Sequence, residues 1–226
     1  MQVIFEDNHI IAVNKTGNEI VQGDKTGDSP LSELVKAYLK EKYNKPGEVF
    51  LGVTHRLDRP TSGIVLFART SKALTRLNEM FKQKDAIKKT YWAVVDKKPQ
   101  PLEGTLHHWL VRNTKQNKSY AHLNEKHESK ASVMAYQYLA SSDKYHLLEI
   151  DLQTGRHHQI RAQLAAIGCI IKGDMKYGSA RSNPNGGIHL HARKIEFTHP
   201  VTKAAVSLTA KVPDDALWLF FEKTVK

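Results

Sequence analysis

One stretch of the sequence reads Val53-Thr54-His55-Arg56-Leu57-Asp58-Arg59-Pro60-Thr61-Ser62-Gly63-Ile64-Val65-Leu66-Phe67, and it joins a charged, hydroxyl-rich segment to an apolar run. The run from 64 to 68 has the length of a strand, and its unbroken apolar character predicts burial on both faces. Pro60 disfavours a helix before it, and Gly63 permits a tight entry into the strand. Asp58 is therefore predicted on a loop fixed by a buried strand, where catalytic groups are often placed.

Chemistry alone gives Asp58 two interpretations. An aspartate between Arg56 and Arg59 is typical of an exposed turn with local ion pairs, because clustered charges mark functional sites in only some proteins. The same carboxylate on a rigid loop also suits catalysis. The charge pattern leaves both interpretations open.

The composition indicates a polyanionic partner. The 226 residues include 34 Lys and Arg against 23 Asp and Glu, a formal net charge of +11. This excess favours nucleic acid first and an anionic membrane second. The single cysteine, Cys169, excludes an intrachain disulfide and a cysteine-based zinc site, and it fits a reducing compartment. Since no signal peptide and no membrane-spanning apolar run is visible, a soluble cytoplasmic protein is predicted.

Hydrophobic periodicity predicts runs of strands with a few helices. Strands are predicted over 3–5, 9–14, 64–68, 88–96, 105–112, 119–123, 132–139, 145–152, 188–197 and 205–210. Helices are predicted to begin at Ser29-Pro30, at Thr70 or Ser71, after Gly155 and at Pro213. The first has a predicted buried stripe of Leu31, Leu34, Val35, Tyr38 and Leu39. This order is typical of an α+β fold around a mixed, largely antiparallel sheet, and without a strong linker residues 1–226 are predicted to form a single domain.

Arg161 is the second candidate residue. It lies between the core positions Ile160 and Leu164 of a predicted helix, where an arginine needs an acceptor or must extend to solvent. Asp58 is a candidate acceptor, and such a pair would keep the carboxylate ionised and immobile. Extension to solvent remains an equal alternative.

Several histidines lie at suggestive positions. His157 and His158 flank the start of the same helix after Arg156, and helix N-termini with nearby cations bind phosphate. His189 and His191 have a zinc-ligand spacing, but no third ligand or helical His-Glu-x-x-His pattern accompanies them, so no metal site is predicted. Nucleotide-binding glycine motifs and Gly-x-Ser-x-Gly are absent from the sequence.

Three separated segments resemble the RluA-type family of RNA pseudouridine synthases. They are His55 to Gly63 (His-Arg-Leu-Asp-x-x-Thr-Ser-Gly), Lys89 to Val95 (Lys-x-Tyr-x-Ala-x-Val), and Thr154 to Arg161 continued by Gly173-Asp174 and Tyr177-Gly178. The opening is also similar, at Glu6-Asp7, Val13-Asn14-Lys15 and Gly17. The first and third motifs are specific, whereas the second alone would be weak.

The resemblance implies a role for each motif residue. Asp58 would be the catalytic aspartate, Tyr91 the aromatic that stacks on the target base, and Arg161 the arginine that pairs with the aspartate. Arg56 resembles the arginine that enters the RNA stack when the base leaves it. Residues expected to bind RNA are His55, Arg56, Arg59, Thr61, Arg156, His158 and Gln159. The family fold is a mixed sheet in two halves with flanking helices and a catalytic cleft between them.

The chain also departs from the family pattern. Gln163 stands where the family usually has His, Cys169-Ile170 replaces a common His-Pro, and Thr16 replaces a Pro. These differences lie beside the motifs and leave the aspartate in place. Many members carry an N-terminal S4 RNA-binding domain, and this chain is expected to lack one.

The implied activity is the isomerisation of a specific uridine in structured RNA, rRNA or tRNA, by a monomeric enzyme. The reaction breaks C1′–N1, turns the flipped uracil and forms C1′–C5, and it requires neither a cofactor nor a metal. One ionised carboxylate can act as nucleophile or base, and the sequence leaves open whether Asp58 attacks the sugar, attacks the uracil or abstracts a proton.

Two other function classes serve as alternatives. A non-catalytic RNA-binding relative would keep the fold and the basic surface without turnover, but the intact set of Asp58, Tyr91 and Arg161 favours the enzyme. A glycosidase would need a second carboxylate. Asp151 and Asp174 are present, but no local pattern marks either.

Overall fold

The computed structural model describes residues 1–23, 27–83 and 85–225, and it contains a large sheet flanked by helices. The strands are β1 (Gln2–Glu6), β2 (Ile10–Lys15), β3 (Gly52–Val53), β4 (Ser62–Ala68), β5 (Ile87–Val95), β6 (Glu103–Asn113), β7 (Lys118–His122), β8 (Lys130–Ser141), β9 (His146–Leu152), β10 (Leu190–Thr198) and β11 (Ala205–Thr209). The helices are α1 (Leu31–Lys42), α2 (Ser71–Lys82), α3 (Gln159–Ala166) and α4 (Ala216–Thr224), with a short 3-10 helix at Met175–Tyr177. The predicted α+β class is confirmed.

The sheet is mixed and mostly antiparallel, as predicted. Its order is β1-β2-β4-β10-β5-β9-β8-β6-β7, with β3 beside β4 and β11 beside β10. Among the strands of the described residues, only β4 and β10 pair in parallel, through Ser62 with His191 and Gly63 with Ala192. These two residue pairs join the half that contains β1 to β4 to the half that contains β5 to β9. The loop bearing Asp58 enters the sheet at this junction.

The strand that follows Asp58 is buried along its whole length, from Ser62 to Ala68, as its unbroken apolar run predicts. Val65 and Phe67 belong to a core that includes α1 and α3. Ile64 and Leu66 belong to the opposite core, beneath α2. Because side chains alternate along a strand, β4 packs into the cores on both faces of the sheet. This packing holds the loop before β4 rigidly.

Two details of α1 differ from the prediction. Leu34 is 42% exposed, because the stripe facing the sheet is narrower and consists of Leu31, Val35 and Leu39. Pro30 is the N-cap residue, no side chain caps the helix, and the helix begins one residue later than predicted. Neither β3 nor the 3-10 helix was predicted, since segments this short carry little periodic signal.

No helix in the described parts of the chain is long and apolar enough to cross a membrane.

Candidate active site

A cleft of about 1600 Å³ opens where the two halves of the sheet meet. It is bounded by the loop before β4, the end of α2, the start of β5 and the start of α3. All the site residues predicted from the sequence line it: His55, Arg56, Asp58, Arg59, Thr61, Tyr91, Arg156, His158, Gln159 and Arg161. The fold therefore brings together residues that lie up to 106 positions apart, since the lining runs from His55 to Arg161.

A buried lysine holds the loop that carries Asp58. Lys15 is 1% exposed, and its Nζ donates to the backbone carbonyls of Thr16 at 2.8 Å, Arg59 at 2.9 Å and Thr61 at 2.7 Å. Burial lowers the pKa of Lys15 to about 8, and the charges of Glu19 and Asp58 oppose the shift. In the sequence this lysine stands out only as part of a motif, because its acceptors come close only when β2 pairs with β4.

Asp58 is held through one of its two carboxylate oxygens. Its side chain is 26% exposed, and Oδ2 accepts a hydrogen bond from Nη1 of Arg161 at 3.1 Å. Nε2 of His158 lies 3.6 Å from the same oxygen. Oδ1 accepts no hydrogen bond from any residue that the structure describes. The carboxylate is thus oriented on one side and open toward the cleft on the other.

Arg161 is buried, and its principal partner is one that the sequence analysis missed. Its Nε and Nη2 donate to the two carboxylate oxygens of Asp174 at 2.6 and 2.8 Å. Burial opposes the charged form, but the hydrogen bonds and charge of Asp174, followed by those of Asp58, raise the pKa of Arg161 above its ordinary value. The sequence did contain a signal for a second partner of Arg161. A buried arginine has five N–H donors, and one carboxylate cannot accept hydrogen bonds from all of them.

His158 lies beside Asp58 as a neutral ring. It is the N-cap residue of α3 in the left-handed conformation, with φ 54°, and its Nδ1 lies 3.1 Å from the hydroxyl oxygen of Tyr177. Burial, followed by the charge of Arg161, lowers the pKa of His158 to about 2. His158 is 7% exposed, and its predicted contact with RNA stays a prediction.

Three further residues predicted to bind RNA also turn inward. The side-chain amide of Gln159 accepts two hydrogen bonds and donates two within the protein, while the residue is 3% exposed. His55 accepts from the backbone N–H of Leu66 at 3.0 Å, and burial lowers the pKa of His55 to about 4. Thr61 is 2% exposed. Buried polar atoms usually have internal partners, and the amide of Gln159 and Nε2 of His55 follow this rule. The buried Oγ1 of Thr61 has no hydrogen-bond partner among the described residues. Contact of these three residues with RNA stays a prediction.

The arginines of the predicted RNA-binding set lie at the surface of the cleft. Arg56 is exposed, and so is Arg156, whose Nε donates to the carbonyl of Ala131 at 3.2 Å. Arg59 pairs with Asp28 at 2.7 Å. Lys89 also lines the cleft, and burial lowers its pKa. These side chains give the cleft the positive charge expected of a surface that binds polyanions.

Tyr91 forms part of the cleft wall from the middle of β5. It is 9% exposed and pairs with Ile150 on one side and Ala192 on the other. Burial, followed by the charge of Asp58, raises the pKa of Tyr91 above its ordinary value. The phenol is therefore protonated across the physiological range, and its ring is fixed by two neighbouring strands.

The His189–His191 pair lies outside the residues that line the cleft. Both ring nitrogens of His189 and Nδ1 of His191 have internal partners, whereas the buried Nε2 of His191 has none among the described residues. Nε2 of His189 lies 3.1 Å from Oδ1 of Asp215, and Nδ1 lies 3.0 Å from Nδ2 of Asn183. Nδ1 of His191 lies 2.9 Å from the hydroxyl oxygen of Ser62. These contacts join the start of β10 to Ser62 of β4, to Asn183 and to the N-cap residue of α4.

Comparison with known proteins identifies relatives of this chain. A family model described as RNA pseudouridylate synthase matches residues 9–166. The chain is 30% identical over 221 residues to an uncharacterized RNA pseudouridine synthase of Bacillus subtilis, covering 95% of this chain and 70% of that protein. It is 32% identical over 213 residues to ribosomal large subunit pseudouridine synthase C of Rickettsia prowazekii, covering 93% of this chain and 68% of that protein.

A solved structure shows the same fold. The human protein RNA Pseudouridylate Synthase Domain Containing 4 superposes with a TM-score of 0.80 at 22% identity, covering 97% of this chain and 92% of that one. The fold, the motif-bearing cleft and the sequence matches together show that the chain belongs to the RluA-type family of RNA pseudouridine synthases, isomerases that act on RNA.

Proposed function

We propose that the protein isomerises a uridine of structured RNA, rRNA or tRNA, with Asp58 as the reactive carboxylate and with the target base flipped into the cleft. The position of Asp58 carries the proposal. Arg161 holds Oδ2 at 3.1 Å, whereas Oδ1 has no hydrogen-bond donor among the described residues of the cleft. A carboxylate that is immobilised yet open on one side can act as nucleophile or base.

The reaction is balanced without any group from outside the substrate. The C1′–N1 bond breaks, the uracil turns, the C1′–C5 bond forms, C5 loses a proton and N1 gains one. His158 is neutral and does not compete with Arg161 for Asp58 as a cation. The site must also keep the detached uracil beside the sugar while the uracil turns. The rigid strands that form the wall of the cleft favour this.

Base flipping requires a platform and a wedge. Taking a base out of its stack costs on the order of a few kcal/mol, and aromatic rings recover part of this by stacking. We assign the platform to Tyr91, whose ring is fixed in β5 on the cleft wall. We assign the wedge to Arg56, because it is exposed two residues before Asp58.

The relatives favour a first choice of RNA. Several carry the name ribosomal large subunit pseudouridine synthase, so large-subunit rRNA is the first substrate to test. The net charge of +11 supplies affinity for any RNA, whereas the choice of uridine must come from contacts inside the cleft. We further propose that residues 1–226 act as one catalytic domain, as a monomer, in the cytoplasm.

Replacement of Asp58 by Asn tests the proposal. The amide keeps the shape of the carboxylate but cannot act as an anionic nucleophile or base, so turnover should be lost while the fold and RNA affinity remain. The measurement is single-turnover tritium release from RNA labelled at uridine C5, together with a thermal melt and a binding titration. Turnover within a few fold of the parent would remove Asp58 from this role.

Asp85→Asn is the matched control. Asp85 is exposed and lies on the rim of the same cleft, so its replacement also removes one negative charge that faces RNA. Both variants should bind RNA equally well or slightly better, because a repulsion is removed. Only Asp58→Asn should lose tritium release. An equal loss in both variants would point to an electrostatic effect instead of chemistry at Asp58.

A further inference from the structure

His157 is a histidine of the cleft to which the uridine chemistry above gives no part. It lies between Arg156 and His158, at the position that the motif at the start of α3 leaves open. Its side chain is half-buried and lines the cleft. The resemblance to the synthase motifs therefore assigns no role to this residue, and its contacts are the only indication of one.

Both ring nitrogens of His157 are held by the β6–β7 hairpin. Nδ1 lies 2.9 Å from the hydroxyl oxygen of Ser119 on β7, and Nε2 lies 3.1 Å from Oδ1 of Asn117 in the turn. Since the amide oxygen is an acceptor, Nε2 carries the proton and Nδ1 accepts from the hydroxyl. Lys176 fixes this turn, because its Nζ donates to the carbonyls of Gln116 and Asn117 at 3.3 and 3.0 Å. The ring of His157 is therefore held in one orientation.

One face of the His157 ring is covered by another ring of the site. The rings of His157 and His158 are stacked, with centroids 3.9 Å apart and planes 16° apart. Nε2 of His158 in turn lies 3.6 Å from Oδ2 of Asp58, the proposed reactive carboxylate. His157 is thus one ring layer farther out from that carboxylate. Because the protein occupies its nitrogens and one face, the second face and the carbon edge are what the ring offers to the cleft.

The surroundings of His157 suit an RNA strand better than a second reacting group. Its nitrogens are engaged by the hairpin, so it has no free position for proton transfer. Burial, followed by the charge of Arg112, lowers the pKa of His157, and the ring is neutral at physiological pH. Arg112 lines the same cleft and makes no hydrogen bond or ion pair with any residue that the structure describes. A ring that can stack on a base, next to a cation that can bind phosphate, is the usual composition of a site for single-stranded nucleic acid.

Flipping a uridine out of its stack also deprives the next nucleotide of a stacking partner. We propose that His157 is a stacking platform for the base next to the flipped uridine, with Arg112 as the cation that binds the phosphate of that nucleotide. The inference rests on the proposed function, since it takes RNA as the substrate. It makes the choice of uridine depend on a neighbouring nucleotide whose base can leave its own stack.

Two variants of His157 separate stacking from a structural role. His157→Phe keeps an aromatic ring and loses both hydrogen bonds, whereas His157→Gln keeps hydrogen-bonding groups and loses the ring. We expect kcat/KM for RNA to fall roughly 5- to 100-fold in His157→Gln, as loss of a base–aromatic stack does, and by less than about threefold in His157→Phe. If His157 only supports the hairpin, the order should be reversed. Reversed or equal values in the two variants would overturn the inference.

His107→Gln is the control for loss of a histidine. His107 is exposed on β6 of the same hairpin and is not among the residues that line the cleft. This variant should keep the parent kcat/KM.

A matching change in the substrate identifies the base that meets His157. RNAs with a single abasic nucleotide on one side or the other of the target uridine are compared in the parent and in His157→Gln. At one of the two positions the abasic RNA should react more slowly with the parent, and His157→Gln should cause no further loss with that RNA. Losses that simply combine at both positions would show that neither base stacks on His157.

A crosslinking measurement does not depend on whether the His157 variants fold. RNA with 5-iodouridine in place of the neighbouring nucleotide, bound to Asp58→Asn, should crosslink on irradiation to the peptide that contains His157. Absence of this crosslink would overturn the assignment. If Asp58→Asn loses turnover while His157→Gln keeps the parent kcat/KM, only the present inference fails. If Asp58→Asn keeps turnover, the proposed function itself fails.

Discussion

Replacement of Gly63 by alanine should separate the two halves of the sheet beside the active site. Gly63 has φ +115° and pairs with Ala192 across the parallel β4–β10 contact. A Cβ there would lie 2.4 Å from the carbonyl oxygen of Ala192, 2.5 Å from its nitrogen and 2.7 Å from its Cα, whereas ordinary contact begins at 3.4 Å. All three atoms are backbone, so the strands themselves must part by about 1 Å, the gap between these distances.

The cost can be worked from two contributions. A non-glycine residue in this backbone region costs about 1–3 kcal/mol. Parting the strands weakens the two residue pairs that join β4 to β10, and loss of a typical backbone hydrogen bond costs about 1 kcal/mol. The total of about 3–5 kcal/mol is a large fraction of the stability of a domain, about 5–15 kcal/mol. Since Asp58 lies five residues earlier in the same rigid entry, turnover of the remaining folded protein should also fall.

Denaturant unfolding of the parent, Gly63→Ala and Gly47→Ala measures this cost. Gly47 is exposed, has no positive φ recorded and has no atom within 4 Å of an added Cβ. Alanine there should change stability by less than about 1 kcal/mol, in the stabilising direction. An unfolding midpoint for Gly63→Ala equal to that of Gly47→Ala would refute the reasoning, and so would full tritium release by Gly63→Ala.

Four further results are expected. Lys15→Met should lower turnover more than tenfold, because the loop that carries Asp58 loses three hydrogen bonds from Nζ to its carbonyls and their neighbours. The free energy of unfolding should change only modestly, because the cost of burying the ammonium charge is removed together with these hydrogen bonds. Parent-like tritium release would contradict the role of Lys15 in holding the loop. Burial lowers the pKa of His191 to about 3 from its ordinary 6.5, so between these two pH values the folded state binds fewer protons than the unfolded state. The free energy of unfolding should therefore fall as the pH falls through this range, by up to about 1.4 kcal/mol per pH unit. His191→Gln should make this pH dependence shallower, and an unchanged slope would contradict the assignment. Tyr91→Phe should retain more activity than Tyr91→Ala, and equal activity in the two would remove the stacking role. RNA affinity should fall steeply between low and moderate salt because bound phosphates release counterions, and a flat titration would count against the basic cleft as the RNA-binding surface.

The amino-acid sequence was enough to predict the α+β class and a loop position for Asp58, the proposed reactive carboxylate. The unbroken apolar run at 64–68 required a strand buried on both faces, and Pro60 and Gly63 required a loop before it, so Asp58 could be placed without coordinates. These conclusions depend on periodicity and local backbone preference, which are properties of neighbouring residues.

Which side chains come into contact depends on how the strands and helices are assembled. The acceptors of Lys15 lie up to 46 positions away and the clash partner of Gly63 lies 129 positions away, and both follow from the strand order. The inward turn of His55, His158 and Gln159 could not be predicted from polarity, because a polar side chain is equally suited to a surface and to a buried site with internal partners. The choice of Asp174 as the main partner of Arg161 has the same origin: a sequence specifies donors and acceptors, but the packing of strands and helices decides which of them are close enough to bond.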